Sequence, residues 1–265
     1  MPLGPRSQTC EVLGSPLRPP PECQNRHGCS RHRRETPAAA QVARRKAMRA
    51  CANLRGTMMT SLPAGPPEVP PLLAARRTVR FYRPAPVPEA VVRALLESAA
   101  SAPTAHNAQP VRYVVIGTPA LRRRLAERMA VRWRRDLERG GAPKAVIGAE
   151  LGFSLRRFSE PPVLILVGYT MEGMDVYPDR ARRAAEETMA VQSAAAAIQN
   201  LLLAATAYGL GACWTCAPLF CPGVVRQALR LPRTFVPQAL LTIGYPAHSP
   251  PIPPRKPLDG LVTVL

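Results

Sequence analysis

The residues able to do chemistry gather in three short stretches. Arg76-Arg77-Thr78-Val79-Arg80 puts three guanidinium groups and a hydroxyl into five residues. In an extended segment alternate side chains share a side, so Arg76, Thr78 and Arg80 can converge on one group, and the planar guanidinium fork suits a phosphate. Taken alone, the same residues also read as an ordinary basic helix terminus. The second stretch, Ser101 to Pro110, joins a helix-like run to a strand-like run and carries Thr104, His106, Asn107 and Gln109. Polar side chains on a loop held between rigid elements are where binding groups sit. The Asn107 amide both donates and accepts, which fits a ligand edge of mixed polarity or, equally, an Asn-stabilised turn.

The third stretch is Gly209-Leu-Gly-Ala-Cys-Trp-Thr-Cys216. It lacks the third glycine of a dinucleotide fingerprint and leaves a helix rather than opening one. Cys213 and Cys216 have dithiol spacing, but Cys216 runs into Ala-Pro rather than a helix N-terminus that would lower a thiol pKa, so a redox pair is not expected. Asp175, Asp179, Glu186 and Glu187 read as helix-end charges. Cys23, His27, Cys29 and His32 match no usual zinc spacing, and no metal is expected.

These stretches need rigid elements around them. Leu72–Arg77 reads as a short helix with an extended exit over Thr78–Tyr82. Val91, Val92, Leu95, Leu96 and Ala99 give an amphipathic helix from about Pro88 to Ala100, followed by the Asn107 loop and a strand at Arg112–Ile116. Pro119–Arg139 is a charged helix stopped by Gly140-Gly141, and a less regular helix covers Lys144–Phe158. Val163–Gly168 is a continuous apolar run of the kind found in buried central strands. Ala181–Tyr208 is a long alanine-rich helix, apolar nearly all round from Met189 and therefore expected to be buried in a core or a subunit interface. Ala212–Cys216 and Val236–Tyr245 read as strands, Pro222–Leu229 as a helix, and Leu261–Leu265 as a final strand. The irregular alternation predicts a mixed layered fold.

Composition narrows the function classes. The chain has 265 residues, 46% of them hydrophobic, enough for a proper core. The formal charge of +19 invites a basic nucleic-acid-binding reading, yet residues 1–57 hold 11 Lys/Arg against 3 Asp/Glu, and the remaining arginines, scattered apart from Arg122–Arg124 and Arg132/Arg134/Arg135, read as solvated helix faces. Residues 1–70 are Pro- and Arg-rich with no sustained apolar period, so they read as a disordered N-terminal extension before a domain at 71–265. That extension is read as an Arg-rich transit peptide or, in preference, as sequence upstream of a translation start at Met58 or Met59. No membrane span and no secretory signal are expected, since Gln192, Gln199 and Asn200 interrupt the longest apolar run, and a cytoplasmic location is the default.

The Arg76–Arg80 entry, followed some thirty residues later by the Asn107-Ala-Gln109-Pro110 loop, resembles the flavin-binding pattern of the nitroreductase family from about Leu72 onward. Val111 departs from it, since many relatives have Trp after Gln-Pro. The resemblance implies an α+β, three-layer α/β/α fold with a central mixed, mainly antiparallel sheet in a domain-swapped homodimer. It implies FMN as cofactor, with Arg76, Arg77, Thr78 and Arg80 at the phosphate and ribityl end, helped by Arg255 or Lys256. Asn107 and Gln109 would contact the flavin, and Cys213, Trp214, Thr215 and Cys216 would line one side of its ring. The flavin carries the chemistry, so no dedicated catalytic acid or nucleophile is expected. The implied reaction is ping-pong hydride transfer from NAD(P)H or a reduced deazaflavin through FMN to a small organic acceptor, with no nucleic acid or membrane partner. Thr170–Pro178, Met189–Ser193 and Ala217–Pro222 further resemble the branch related to the reductase domain of deazaflavin-cofactor biosynthesis, which makes a dehydro-deazaflavin precursor the alternative acceptor.

Overall fold

A computed structural model describes residues 71–263. The expectations for residues 1–70 lie outside the described residues.

The elements follow the sequence periodicity closely. They run α1 (Pro71–Ala75), α2 (Glu89–Ala100), β1 (Val111–Val115), α3 (Pro119–Arg139), α4 (Lys144–Ser159), β2 (Val163–Tyr169), α5 (Arg180–Ala207), β3 (Gly211–Thr215), α6 (Pro222–Leu229) and β4 (Val236–Gly244). Local chemistry sets several ends. The Thr118 side chain accepts from the Leu121 amide at 3.3 Å and starts α3, and Asp179 accepts from the Arg182 amide at 2.9 Å and starts α5. Gly209 ends α5 in the left-handed conformation (φ 69°), and the Leu210 amide turns back to the Ala205 carbonyl at 2.8 Å.

The four strands form one sheet in the order β1-β2-β4-β3, each pair antiparallel. A parallel bridge from Thr78 to Ala212 adds the segment after α1 to the β3 edge. Alternation along β2 separates two cores. Val163, Ile165 and Val167 face α2 and α5 with Ala197, Ile198 and Leu201, while Leu164 and Leu166 face α3 and α6 with Leu125, Met129 and Val225. The fold is thus α+β in three layers, helices on both faces of the sheet, as the sequence implies.

Three expectations need correction. Arg122 is not a solvated helix-face charge. It is buried and donates to the Pro161 and Pro162 carbonyls at the entry to β2, and burial pushes its pKa down. Of the final strand expected at Leu261–Leu265, the described residues 261–263 form none within the subunit: Leu258–Gly260 is a single tight turn, and Leu261 and Val262 are exposed. By length and composition α5 would suffice to cross a membrane, despite its Gln and Asn residues. Within the fold it packs against α2 and the sheet through Ala194, Ala197, Ile198 and Leu201, the placement of a core helix.

Candidate functional site

The cationic stretch is held in place by backbone contacts and by one glycine. The Val79 amide donates to the Ala212 carbonyl at 3.0 Å, and Gly211 lets the Val79 side chain lie directly on β3. The Tyr82 hydroxyl reaches the carbonyls of Val79 (2.6 Å) and Thr242 (2.8 Å) and the Thr242 hydroxyl (2.8 Å). With Val79 turned inward, Arg76, Arg77, Thr78, Arg80 and Arg255 line one cavity of about 640 Å3, together with Pro250–Pro253. Among the described residues no carboxylate lies within ion-pair distance of Arg76, Arg80 or Arg255. Uncompensated cations around one concavity attract an anion. Arg77 also turns back on α1, its guanidinium donating to the Ala74 and Arg76 carbonyls at 2.5 and 2.8 Å. Lys256 does not line this cavity.

The Asn107 loop forms a tight turn over Ala105–Asn107 with unusual backbone. His106, Asn107 and Gln109 all have positive φ, at 54°, 54° and 50°. Non-glycine residues in that region carry strain, which concentrates at functional sites. The Gln109 amide donates to the Thr104 hydroxyl at 3.2 Å, Arg112 donates to the Gln109 carbonyl at 2.8 Å, and the Gln109 side-chain amide reaches Asn107 Oδ1 at 3.4 Å. Thr104 and Gln109 line a second cavity, of about 170 Å3, with Tyr113 and Ala197. Burial pushes the Tyr113 hydroxyl up to about 12. Among the described residues none lines both this cavity and the cationic one.

The β3 end divides its residues between faces. Cys213 is buried (2% exposed), with its thiol beside the Thr215 hydroxyl at 3.7 Å, so its side chain packs within the fold. Cys213 and Cys216 are both free thiols. Trp214 is 37% exposed. Thr215 and Cys216 open onto a third cavity, of about 400 Å3, walled by Trp133, Phe153, Phe158 and Phe220.

The Nitroreductase family profile matches residues 73–245, a span that contains all of these elements except the Arg255 tail. The chain belongs to the nitroreductase family. A curated relative, the NADH dehydrogenase of Thermus thermophilus, is 35% identical over 197 residues, covering 71% of this chain and 91% of that protein. Rat iodotyrosine deiodinase 1 is 26% identical, covering 73% and 68%. Among solved structures, a protein assigned as a nitroreductase from Desulfovibrio desulfuricans, in complex with FMN, superposes with a TM-score of 0.57 at 26% identity, covering 76% of this chain and 98% of that one.

Two further residues of this nitroreductase depart from their sequence reading. Glu186 and Glu187, expected as helix-end charges, are engaged by the fold. Glu187 accepts from the Tyr169 hydroxyl at 2.9 Å, and burial, with that carboxylate, pushes the tyrosine pKa up. Glu186 is buried beside His106 at 3.4 Å. The pairing joins α5 to a loop some eighty residues earlier, and no local spacing signals it.

Proposed function

We propose that this nitroreductase is an FMN-dependent oxidoreductase that takes hydride from a reduced nicotinamide and passes it to a small organic acceptor. The reading is carried by Arg76, Thr78, Arg80 and Arg255 around one cavity, free of carboxylate partners among the described residues. Such a set fits a phosphate dianion, because charge-assisted forks from several sides satisfy its oxygens. When bound, FMN would supply the redox chemistry, hydride transfer between a reduced donor and an acceptor, and the residues around the cationic cavity would hold its phosphate.

The chain's own residues bind and orient. Arg76, Arg80 and Arg255 neutralise the phosphate, and Thr78 donates to it. Asn107 and Gln109 offer donors and acceptors to the polar edge of the ring, from a backbone already held in place. Trp214, Thr215 and Cys216 cover a ring face. The cationic cavity and the Gln109 cavity share no lining residue, which supports a site completed by a second subunit in a homodimer. The names of the relatives, among them an NADH dehydrogenase, support a nicotinamide donor. A reduced deazaflavin as donor, or its dehydro precursor as acceptor, rests on sequence resemblance alone.

The test is direct. The purified full chain should carry close to one FMN per subunit by absorbance, and stopped-flow mixing with NADH or NADPH should bleach it. Reoxidation is then followed against a nitroaromatic, a quinone, a halogenated phenol and a dehydro-deazaflavin. A colourless protein that binds no added FMN would overturn the reading.

A further inference from the structure

We propose that His106, Asp175 and Glu186 form a binding site for a divalent transition-metal ion of the zinc type, which ties the Asn107 loop to the first turns of α5. One potential ligand atom from each residue lies within 4.8 Å of the other two. The three come from separate places: the turn Ala105–Asn107, the segment after β2, and the second turn of α5.

Glu186 separates this cluster from ordinary surface acids. It is 1% exposed, and its Oε2 is buried with no hydrogen-bond partner among the described residues. A buried carboxylate oxygen without a donor or cation is unfavourable, and a bound cation removes that penalty. The other oxygen, Oε1, lies 3.4 Å from His106 Nε2. That is longer than the roughly 2.7–2.9 Å of a charge-assisted hydrogen bond. It equals the edge of about 3.4 Å expected between two ligands on a tetrahedral ion with bonds of about 2.1 Å. The separation therefore suits two donors to one ion better than one donor to the other.

The neighbouring groups leave these three atoms as the ligand set. Glu187 is engaged by Tyr169, and Asp179 caps α5 and pairs with Arg182. Asp175 accepts from the Tyr177 hydroxyl at a long 3.4 Å, and being exposed on a loop it can close the last ångström or so. One imidazole nitrogen with two carboxylate oxygens is a zinc-compatible set, with no thiolate needed. The His106 side chain is 46% exposed, so the fourth position opens toward solvent, where a water or a ligand group completes the shell. An ion here holds the left-handed backbone of His106 and Asn107 from the α5 side. Ser193 already secures the same turn by accepting from the Ala105 amide at 3.3 Å.

The experiment uses the full chain, stripped with chelator and titrated with Zn2+ against a chromophoric competitor. Wild type should take up one more equivalent per chain than Glu186→Gln, with a zinc-dependent rise in Tm. Asp175→Asn alters an exposed side chain and keeps the test valid if the buried substitution perturbs folding; both variants should bind that equivalent at least tenfold more weakly. Flavin absorbance, read in the same samples, keeps this result separate from the flavin reading. Equal zinc uptake by wild type and both variants, as from thiols elsewhere in the chain, would overturn the proposal, and so would no uptake by wild type.

Discussion

Val79 lies against Gly211 so closely that a β-carbon at position 211 would stand 2.5 Å from the valine Cβ and Cγ2. This contact, together with the Val79–Ala212 hydrogen bond, aims Arg76, Thr78 and Arg80 outward together. Gly211→Ala must therefore move the cationic segment or the β3 edge. Overpacking of this kind costs about 1–3 kcal/mol, and FMN affinity should fall with it. Gly223→Ala is the control: a β-carbon there meets nothing within 4 Å, so urea midpoints and flavin titration should show little change or slight stabilisation.

Replacing Arg80 by Ala should weaken FMN far more than riboflavin. The side chain lines the cationic cavity and has no carboxylate partner among the described residues, so its loss removes a phosphate contact and little else. A charge-assisted hydrogen bond is worth roughly 1.5–3 kcal/mol, which corresponds to a tenfold to hundredfold loss. Fluorescence titration with the two flavins checks it; equal weakening of both would remove Arg80 from the phosphate site.

The elements were legible because the chain states them locally. Helical spacing of Val91, Val92, Leu95, Leu96 and Ala99 marked α2, Gly140-Gly141 marked the end of α3, and the unbroken run Val163–Gly168 marked β2 as central. The cationic cavity was half legible: alternation put Arg76, Thr78 and Arg80 on one side, but only the fold shows Arg77 turned back onto its own helix. Cys213 and Cys216 looked equivalent in sequence, yet strand alternation and the core behind β3 bury the first and expose the second. Arg122 and Glu186 were misread for one shared reason. Their partners, the Pro161 carbonyl and His106, are distant in the chain, and burial of a charge is decided by what tertiary structure brings to it.

Stability should fall on the alkaline side. Burial pushes the hydroxyls of Tyr82, Tyr113 and Tyr169 above their ordinary 10.0, Tyr113 to about 12. The folded chain thus holds protons that the unfolded chain releases. Their contribution is fully present below pH 10 and is lost as pH rises through the folded values. Urea midpoints should be level from these groups up to about pH 10 and drop beyond it, and Tyr113→Phe, which cannot ionise, should drop less steeply between pH 10 and 12. An identical slope in wild type and variant would remove Tyr113 from the cause.

The last prediction concerns a second subunit. The sequence suggested that α5 is apolar all round, but in one subunit only part of it is covered. Ala194, Ala197, Ile198 and Leu201 are buried against α2 and the sheet, while Val191 and Gln192 are exposed and Ala195, Ala196, Gln199 and Leu203 are half-buried. These six recur at helical spacing, so they form one continuous stripe of mostly small or apolar side chains, on which a second α5 could pack closely. Asn200 lies off the stripe, donating to the Ser98 carbonyl at 3.3 Å. If two subunits meet there, Ala196→Glu drives an unpaired carboxylate into the contact, and the dimer should dissociate. A flavin site shared between subunits would empty in the same step, because obligate dimers lose binding with assembly. Sedimentation velocity and flavin absorbance on one sample decide it: monomer without flavin is the expected result, and a folded monomer holding FMN at wild-type strength would refute the shared site.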